Sequence, residues 1–313
     1  MSTSGSTRAI LAALLANAGI AVAKFTGYVI TGSAAMLAEA VHSVADTSNQ
    51  ALLLFGQRAA AKAPDELHPF GYGRSRYFWS FVVALVLFSL GSMFALYEGY
   101  KKVHHPVELS SPVVAIVILV VAIGMETFSF RTAVVESRPF KGEGSWLRFL
   151  HTSRTPELPV VLLEDTAALI GLVLALMGVG LSVVTGNPVW DGVATLGIGV
   201  LLGVVAVFLM VEMHSLLIGE GATVAEDRAI RAALEQTRNV TRLIHIRTLY
   251  LGPDEMLVGA KIALLPQLDL AAVAATIDDA EANVRRAVPA ARVIYLEPDL
   301  DRTAVPDSRQ QKG

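Results

Sequence analysis

The sequence predicts an α-helical membrane protein that ends in a small α+β domain, and three observations carry that fold class. Of the 313 residues, 53% are hydrophobic and only 17% charged, too apolar for a soluble globule of one or two domains. Six apolar segments, near residues 8–30, 34–57, 77–100, 112–134, 158–184 and 189–217, reach the length that a transmembrane helix needs to cross a hydrocarbon core of roughly 30 Å. Past residue 219 the long apolar runs give way to shorter helix-like and strand-like stretches.

The first segment, MSTSGSTRAILAALLANAGIAVAKFTGYVI, sets a basic residue before an apolar run, as a signal peptide does. Its run is too long for a signal core and more such runs follow, so it is expected to stay as the first span. Short turns at ITGSA and VTGNP and a middle turn at KKVHHPVELSSP separate some spans; polar loops around 58–76 and 131–156 separate others. The polar loops hold Arg58, Lys62, Arg74, Arg76, Arg131, Arg138, Lys141, Arg148 and Arg154, against Lys101 and Lys102 on the opposite side. The positive-inside rule therefore puts these loops and both termini in the cytoplasm.

In the C-terminal part, TVAEDRAIRAALEQTR is amphipathic and opens with Thr223 and Glu226 in capping-box spacing, which marks a helix. LIHIRTLYL and MLVGAKIALL are strand-like and separated by GPDE, a turn sequence. A second helix, DLAAVAATIDDAEANVRRAV, leads to a last strand, ARVIYLEP. The order αββαβ implies a ferredoxin-like two-layer domain with an antiparallel hairpin at its centre. The expected organisation is thus a six-helix transmembrane domain over 1–218, the αββαβ domain over 219–302, and a polar, disordered tail over 303–313.

Composition also excludes functions. With no cysteine, disulfides and thiolate metal sites are absent, and a metal must be held by His, Asp, Glu or backbone oxygen. A net charge of −3 argues against nucleic acid. No HExxH motif or nucleophile elbow supports a membrane-embedded hydrolase, so no enzyme is expected.

Ionisable groups inside spans are costly and usually face a pathway or a partner. In AEAVHSVADTSNQALLLFG, His42 and Asp46 share one helix face, with Glu39 before them and Asn49 beyond. Such a pair either locks two helices through a His–Asp hydrogen bond or supplies part of a site for a divalent ion, which needs about four ligands. The fifth span offers Glu164 and Asp165; neighbours on a helix diverge by roughly 100°, so at most one of them points squarely at the second span. Glu126, beside Ser129 in the fourth span, is a second pathway candidate. Asp191 and Glu98 fall near the outer ends, where solvation makes them cheap, and Gly27, Gly32 and Gly91 are expected to permit close helix contact. Lys24, in the first span, can pair with a carboxylate or snorkel to an interface.

The stretch GSAAMLAEAVHSVADTSNQALLLFG, then HPFGYGRSRYFWSF and FALYEGYKKVHHP, with the layout of six spans and αββαβ, resembles the cation diffusion facilitator family of divalent metal:proton antiporters. The likeness runs from about residue 8 to 300, and LLEDTAA resembles the branch that includes the mitochondrial zinc transporter. It implies a tetrahedral site with two side chains from each of the second and fifth spans: His42 and Asp46 match the first pair and Asp165 the last member of the second. The remaining position is Val161, which ligates nothing, so Glu164, Asn49 or a water completes the coordination.

A further loop site of the family, an Asp and two His, is matched by Asp65 and His68 but has Tyr72 in place of the second His. In the C-terminal domain His245 and Glu297 fall near family metal positions, while Lys261 and Tyr295 stand where His is expected; that domain is expected to dimerise without zinc. His104 and His105 are read as solvated loop residues, and Glu212 and His214 as packing groups.

The resemblance implies exchange of a divalent cation, Zn2+ first and Mn2+, Fe2+ or Co2+ as alternatives, for protons, with export from the cytoplasm. Ligands must be deprotonated to bind metal, so metal and protons compete for the same groups. The alternative is a non-transporting, metal-sensing membrane scaffold. The expected partners are the metal ion, protons, the lipid bilayer and a second copy of the chain; the expected location is a bacterial inner membrane, and no permanently bound cofactor is expected.

Overall fold

Long apolar runs broken by turn glycines should give long helices, and they do. The computed structural model describes residues 18–108, 111–141 and 144–301, apart from the side chains of Asp46 and residues 86–88. The start of the expected first span and the tail 303–313 lie outside the described residues. The chain divides into two compact units, Met1–Lys62 with Ser75–His214, and Ala63–Arg74 with Ser215–Gly313.

In the first unit α1 (Ala18–Thr31) and α2 (Ala34–Ala60) are joined at Gly32, whose φ of 66° only glycine adopts without strain. Gly32 thus serves the turn, not the helix contact expected of it. Next come α3 (Ser75–Val82), a π-helical turn over Val83–Phe88 and α4 (Ser89–His104), which together form one 30-residue apolar rod. Further on are α5 (Pro112–Lys141), α6 (Trp146–Thr152), α7 (Glu157–Thr185) and α8 (Val189–Ile218). Gly186, at φ 66°, ends α7 in the VTGNP turn.

Among the described residues, four helices are long and apolar enough to cross a membrane: Ser75–His104, Pro112–Lys141, Glu157–Thr185 and Val189–Ile218. The 27-residue α2 has the length, but its polar stripe lowers its hydropathy, and α1 is described for only 14 residues. The polar loop expected over 131–156 is largely helical. α5 runs on to Lys141, α6 fills Trp146–Thr152 behind the Ser145 cap, and Phe149 and Leu150 bury against Ala133 and Leu162. A seven-residue helix is too short to register as a span or to show a long hydrophobic period.

The core is small-residue-rich, with Ala35, Ala38, Ala95, Ala115, Ala167, Ala175 and Ala206 beside Leu119, Leu172 and Leu209. Small side chains let helix backbones approach, the main source of association where lipid is as apolar as the helix surface.

In the second unit α9 (Val224–Glu235) begins with the expected capping box of Thr223 and Glu226. The strands β1 (Val240–Gly252), β2 (Glu255–Leu264) and β3 (Ala291–Leu300) form a sheet in the order β1-β2-β3, and α10 (Leu270–Ala287) lies between β2 and β3 in sequence. The pair β1–β2 is antiparallel across the Pro253–Asp254 turn, whereas β2–β3 is parallel. The sheet's centre is therefore β2, and the hairpin occupies one side. Ile230 and Leu234 of α9, Ala280 and Val284 of α10, and Tyr250, Met256, Val258 and Ile262 of the sheet make its core.

Candidate metal site

The site starts from how α2 is held. Ser33 caps the helix, its hydroxyl accepting from the Met36 N–H at 3.2 Å. Asp191 of α8 adds a carboxylate at the same helix end: it accepts from the Ser33 hydroxyl at 2.7 Å, the Ala34 N–H at 2.8 Å and the Ala35 N–H at 3.3 Å. The Lys102 ammonium lies 3.9 Å from it. Asp191 is 0% exposed, which corrects the expectation of a solvated outer charge. An anion there answers the unsatisfied N–H groups and the positive end of the helix dipole.

Fixed at that end, α2 turns one face inward. Glu39, His42 and Asn49 are all buried, and the Asp46 backbone lies one turn beyond His42 on the same face. The oxygens Asn49 Oδ1 and Gln50 Oε1 are buried without a hydrogen-bond donor among the described residues. From α7, Glu164 and Asp165 are both buried, and the Ser129 hydroxyl of α5 donates to Asp165 Oδ2 at 3.1 Å. Glu126, buried one turn before Ser129, lies close enough to Asp165 and Lys24 to interact electrostatically with both.

A cavity of about 470 Å³ leads to this region. Gln50, Leu53 and Gln57 of α2, Ser129 and Glu136 of α5, and Glu157, Val161 and Asp165 of α7 are among its walls. Val161 is one of its walls, an apolar side chain that offers an ion no donor atom. Among its carboxylates, Asp165 is buried and Glu136 is exposed. Arg76 is drawn off by Glu157 in a bidentate pair, 2.6 Å and 2.9 Å, which leaves the deep part acceptor-rich. Among the described residues no three His, Asp or Glu side chains come together as a metal cluster; the side chain of Asp46 is outside that description.

The remaining sequence candidates fall elsewhere. In the loop of the second unit, Asp65 uses both oxygens on protein donors, the Tyr72 hydroxyl at 2.5 Å and the His68 N–H at 2.7 Å, with His68 Nδ1 3.4 Å away. The Tyr72 hydrogen bond, with the His68 N–H, holds the Asp65 carboxyl below its usual range, and the same contact pushes the Tyr72 phenol up. On the sheet, His245, Lys261 and Glu297 stand in one row across the three strands. There Lys261 Nζ lies 2.7 Å from Glu297 and 3.0 Å from Asp299, and these hydrogen bonds raise the ammonium above its ordinary value. His104 is exposed beside Tyr100, and Glu212 accepts a 2.6 Å contact from His151.

Sequence inspection missed the cap by Asp191 and the close seat of Glu39 against Gly171, and of the two roles it allowed Lys24 the structure has the carboxylate pairing, with Glu39 at 3.2 Å. A Cβ at Gly171 would come within 2.5 Å of Glu39 Oε1. The available signals were the two short-loop positions of Ser33 and Asp191 at span ends, and the glycine opposite a buried carboxylate.

Comparison with known proteins adds the following. The model for the cation efflux transmembrane domain matches residues 10–218. The chain is 32% identical over 260 residues to the mitochondrial proton-coupled zinc antiporter SLC30A9 of Homo sapiens, covering 82% of this chain and 46% of that protein. It is 33% identical over 268 residues to metal tolerance protein C4 of Arabidopsis thaliana, 82% of this chain and 57% of that one. With magnetosome protein MamB of Magnetospira it shares 29% over 188 residues, 59% of this chain and 58% of that one. The chain spans about half the length of the first two of these curated relatives.

Proposed function

Since the chain belongs to the cation efflux family, the cation diffusion facilitators, and lies close to the mitochondrial zinc transporter branch, we propose that it is a multi-pass membrane antiporter exchanging Zn2+ for protons. The observation that carries this reading is the cavity between α2, α5 and α7, whose walls include the buried carboxylate Asp165 and the polar side chains Gln50 and Gln57 of α2. A buried carboxylate whose hydrogen-bond donor among the described residues is a neutral hydroxyl is a poor structural element and a good cation seat.

In this reading His42, Asp46 and Asp165 ligate the ion, and Glu164, Asn49 or a water completes the set. The α2–α7 packing supports it. Glu39 meets Gly171 near one end, and Gln50 and Gln57 share a cavity wall with Glu157 and Asp165 near the other, so the two helices run antiparallel. That register sets Asp165 opposite Asp46, with His42 one turn further from the cavity. The ion and protons exchange on the same groups because a ligand must be deprotonated to bind. One imidazole with carboxylates suits zinc and also admits Mn2+, Fe2+ and Co2+.

Six spans follow if α1 continues toward the N-terminus and α2 crosses despite its polar stripe. The basic loops then place both termini in the cytoplasm, with export as the direction. The C-terminal αββαβ unit is the dimerisation domain, Asp65 and His68 are committed to Tyr72 and to each other, and the setting is a bacterial inner membrane.

The test is zinc-driven proton flux in vesicles carrying the purified chain, repeated with manganese, iron(II) and cobalt. Flux that requires His42 and Asp165 supports the antiporter; flux that survives His42→Ala and Asp165→Ala overturns it. A chain that binds zinc but moves neither ion supports the scaffold instead.

A further inference from the structure

Lys24 and Glu39 form an ion pair of 3.2 Å with side chains 1% and 0% exposed. In lipid-embedded protein a pair this dry is costly, and it persists only if well seated. Glu39 Oε2 takes the ammonium; Oε1 accepts no hydrogen bond among the described residues and occupies the space that a Cβ at Gly171 of α7 would need.

Its position along the helices is informative. At about 1.5 Å per residue, Glu39 lies about 10 Å beyond Asp46 on α2, and Gly171 about 9 Å beyond Asp165 on α7. Both counts put the ion pair one step past the proposed metal position, on the side away from the cavity. From the cavity inward the order is Asp165 with Asp46, then His42, then Glu39 with Lys24.

We propose that the Lys24–Glu39 pair is the gate on the far side of the metal site, an ammonium that masks the next carboxylate on the path and must release it before the ion can leave. The idea rests on the transport reading above. A dication seated below meets a positive charge, which repels it; the carboxylate behind that charge would otherwise draw it on. Release needs another anion for Lys24. Glu126 of α5 lies within electrostatic reach of both Lys24 and Glu39. Around the pair are thus Glu126 from α5 and His42 of α2, while α7 offers Gly171.

The experiment measures zinc flux and proton flux separately in vesicles bearing the full chain. Lys24→Met leaves Glu39 unmasked, so KM for zinc falls about tenfold and turnover falls by a similar factor as the ion is held past its seat. Removing the carboxylate as well, in Lys24→Met/Glu39→Gln, is expected to restore turnover above that of the single variant and return KM toward wild type. Lys24→Arg, which keeps charge and pairing, should stay near wild type and guards against a folding defect. A double variant as slow as Lys24→Met with KM unmoved would show that the pair only holds helices, overturning the gate. Wild-type rates and KM in both would overturn it too. A wild-type chain that moves no zinc overturns the transport reading and the gate with it, an outcome distinct from either.

Discussion

Carboxylates gather in two places in this molecule, and the two are treated in opposite ways. On the sheet of the second unit Glu297 and Asp299 share the ammonium of Lys261 at 2.7 and 3.0 Å. Between α2, α5 and α7 the buried Asp165 has a hydrogen bond from Ser129, a neutral hydroxyl, and the nearby Lys24 is committed to Glu39. The first set is neutralised by its own chain. The second meets a hydroxyl rather than a cation among the described residues, and Asp165 lines a cavity. In the proposed reading a metal is held beside Asp165, whose donor among the described residues is a hydroxyl, and not on the sheet, where Lys261 occupies the carboxylates.

The largest expected effect breaks the second set. Ligand loss in Asp165→Ala or His42→Ala should lower zinc-driven flux by more than the roughly 10–100-fold that changes behind the ligands usually cost, read as initial rates in vesicles. Next is the anchor of α2. Asp191→Ala strands Lys102 and the first N–H groups of the helix, a buried-pair defect worth about 3–5 kcal/mol, measured as lost thermal stability of the purified chain in detergent. A more modest outcome comes from converting the first set into the second. Lys261→Ala frees Glu297 and Asp299, with His245 in the same row, so the full chain should gain a weak zinc site that wild type lacks, seen by equilibrium dialysis.

The smallest effect concerns the loop. Asp65 is held low mainly by the Tyr72 hydroxyl. A lowered carboxylate stabilises above its unfolded value and loses that contribution as pH falls through the folded one. In Tyr72→Phe the Asp65 carboxyl should therefore rise toward the ordinary range near 3.9, and the acid limb of the loop's unfolding should shift to higher pH, followed by NMR titration.

Much of this was legible in the sequence. The αββαβ order and the Thr223–Glu226 capping box came from local pattern alone, because strand alternation and cap chemistry act over a few residues. His42 and Asp165 stood out because charge in an apolar run is rare for physical reasons. What stayed hidden was pairing across the sequence. Nothing local says that Asp191 reaches back 158 residues to Ser33, or that Lys24 spends its charge on Glu39. The helical part of 131–156 hid for a different reason: the polar end of α5 and the seven residues of α6 carry no long apolar run. The sheet order also escaped, since a hairpin is visible in sequence and the parallel return of β3 beside β2 is a tertiary choice.

The account turns on where a metal is held, and counting bound ions tests that most directly. Equilibrium zinc binding to the purified full-length chain should show one ion per chain, lost in the His42→Ala/Asp165→Ala double variant and unaffected by Glu297→Gln. An ion that persists in the double variant and leaves with Glu297→Gln would place the metal on the sheet and contradict the account.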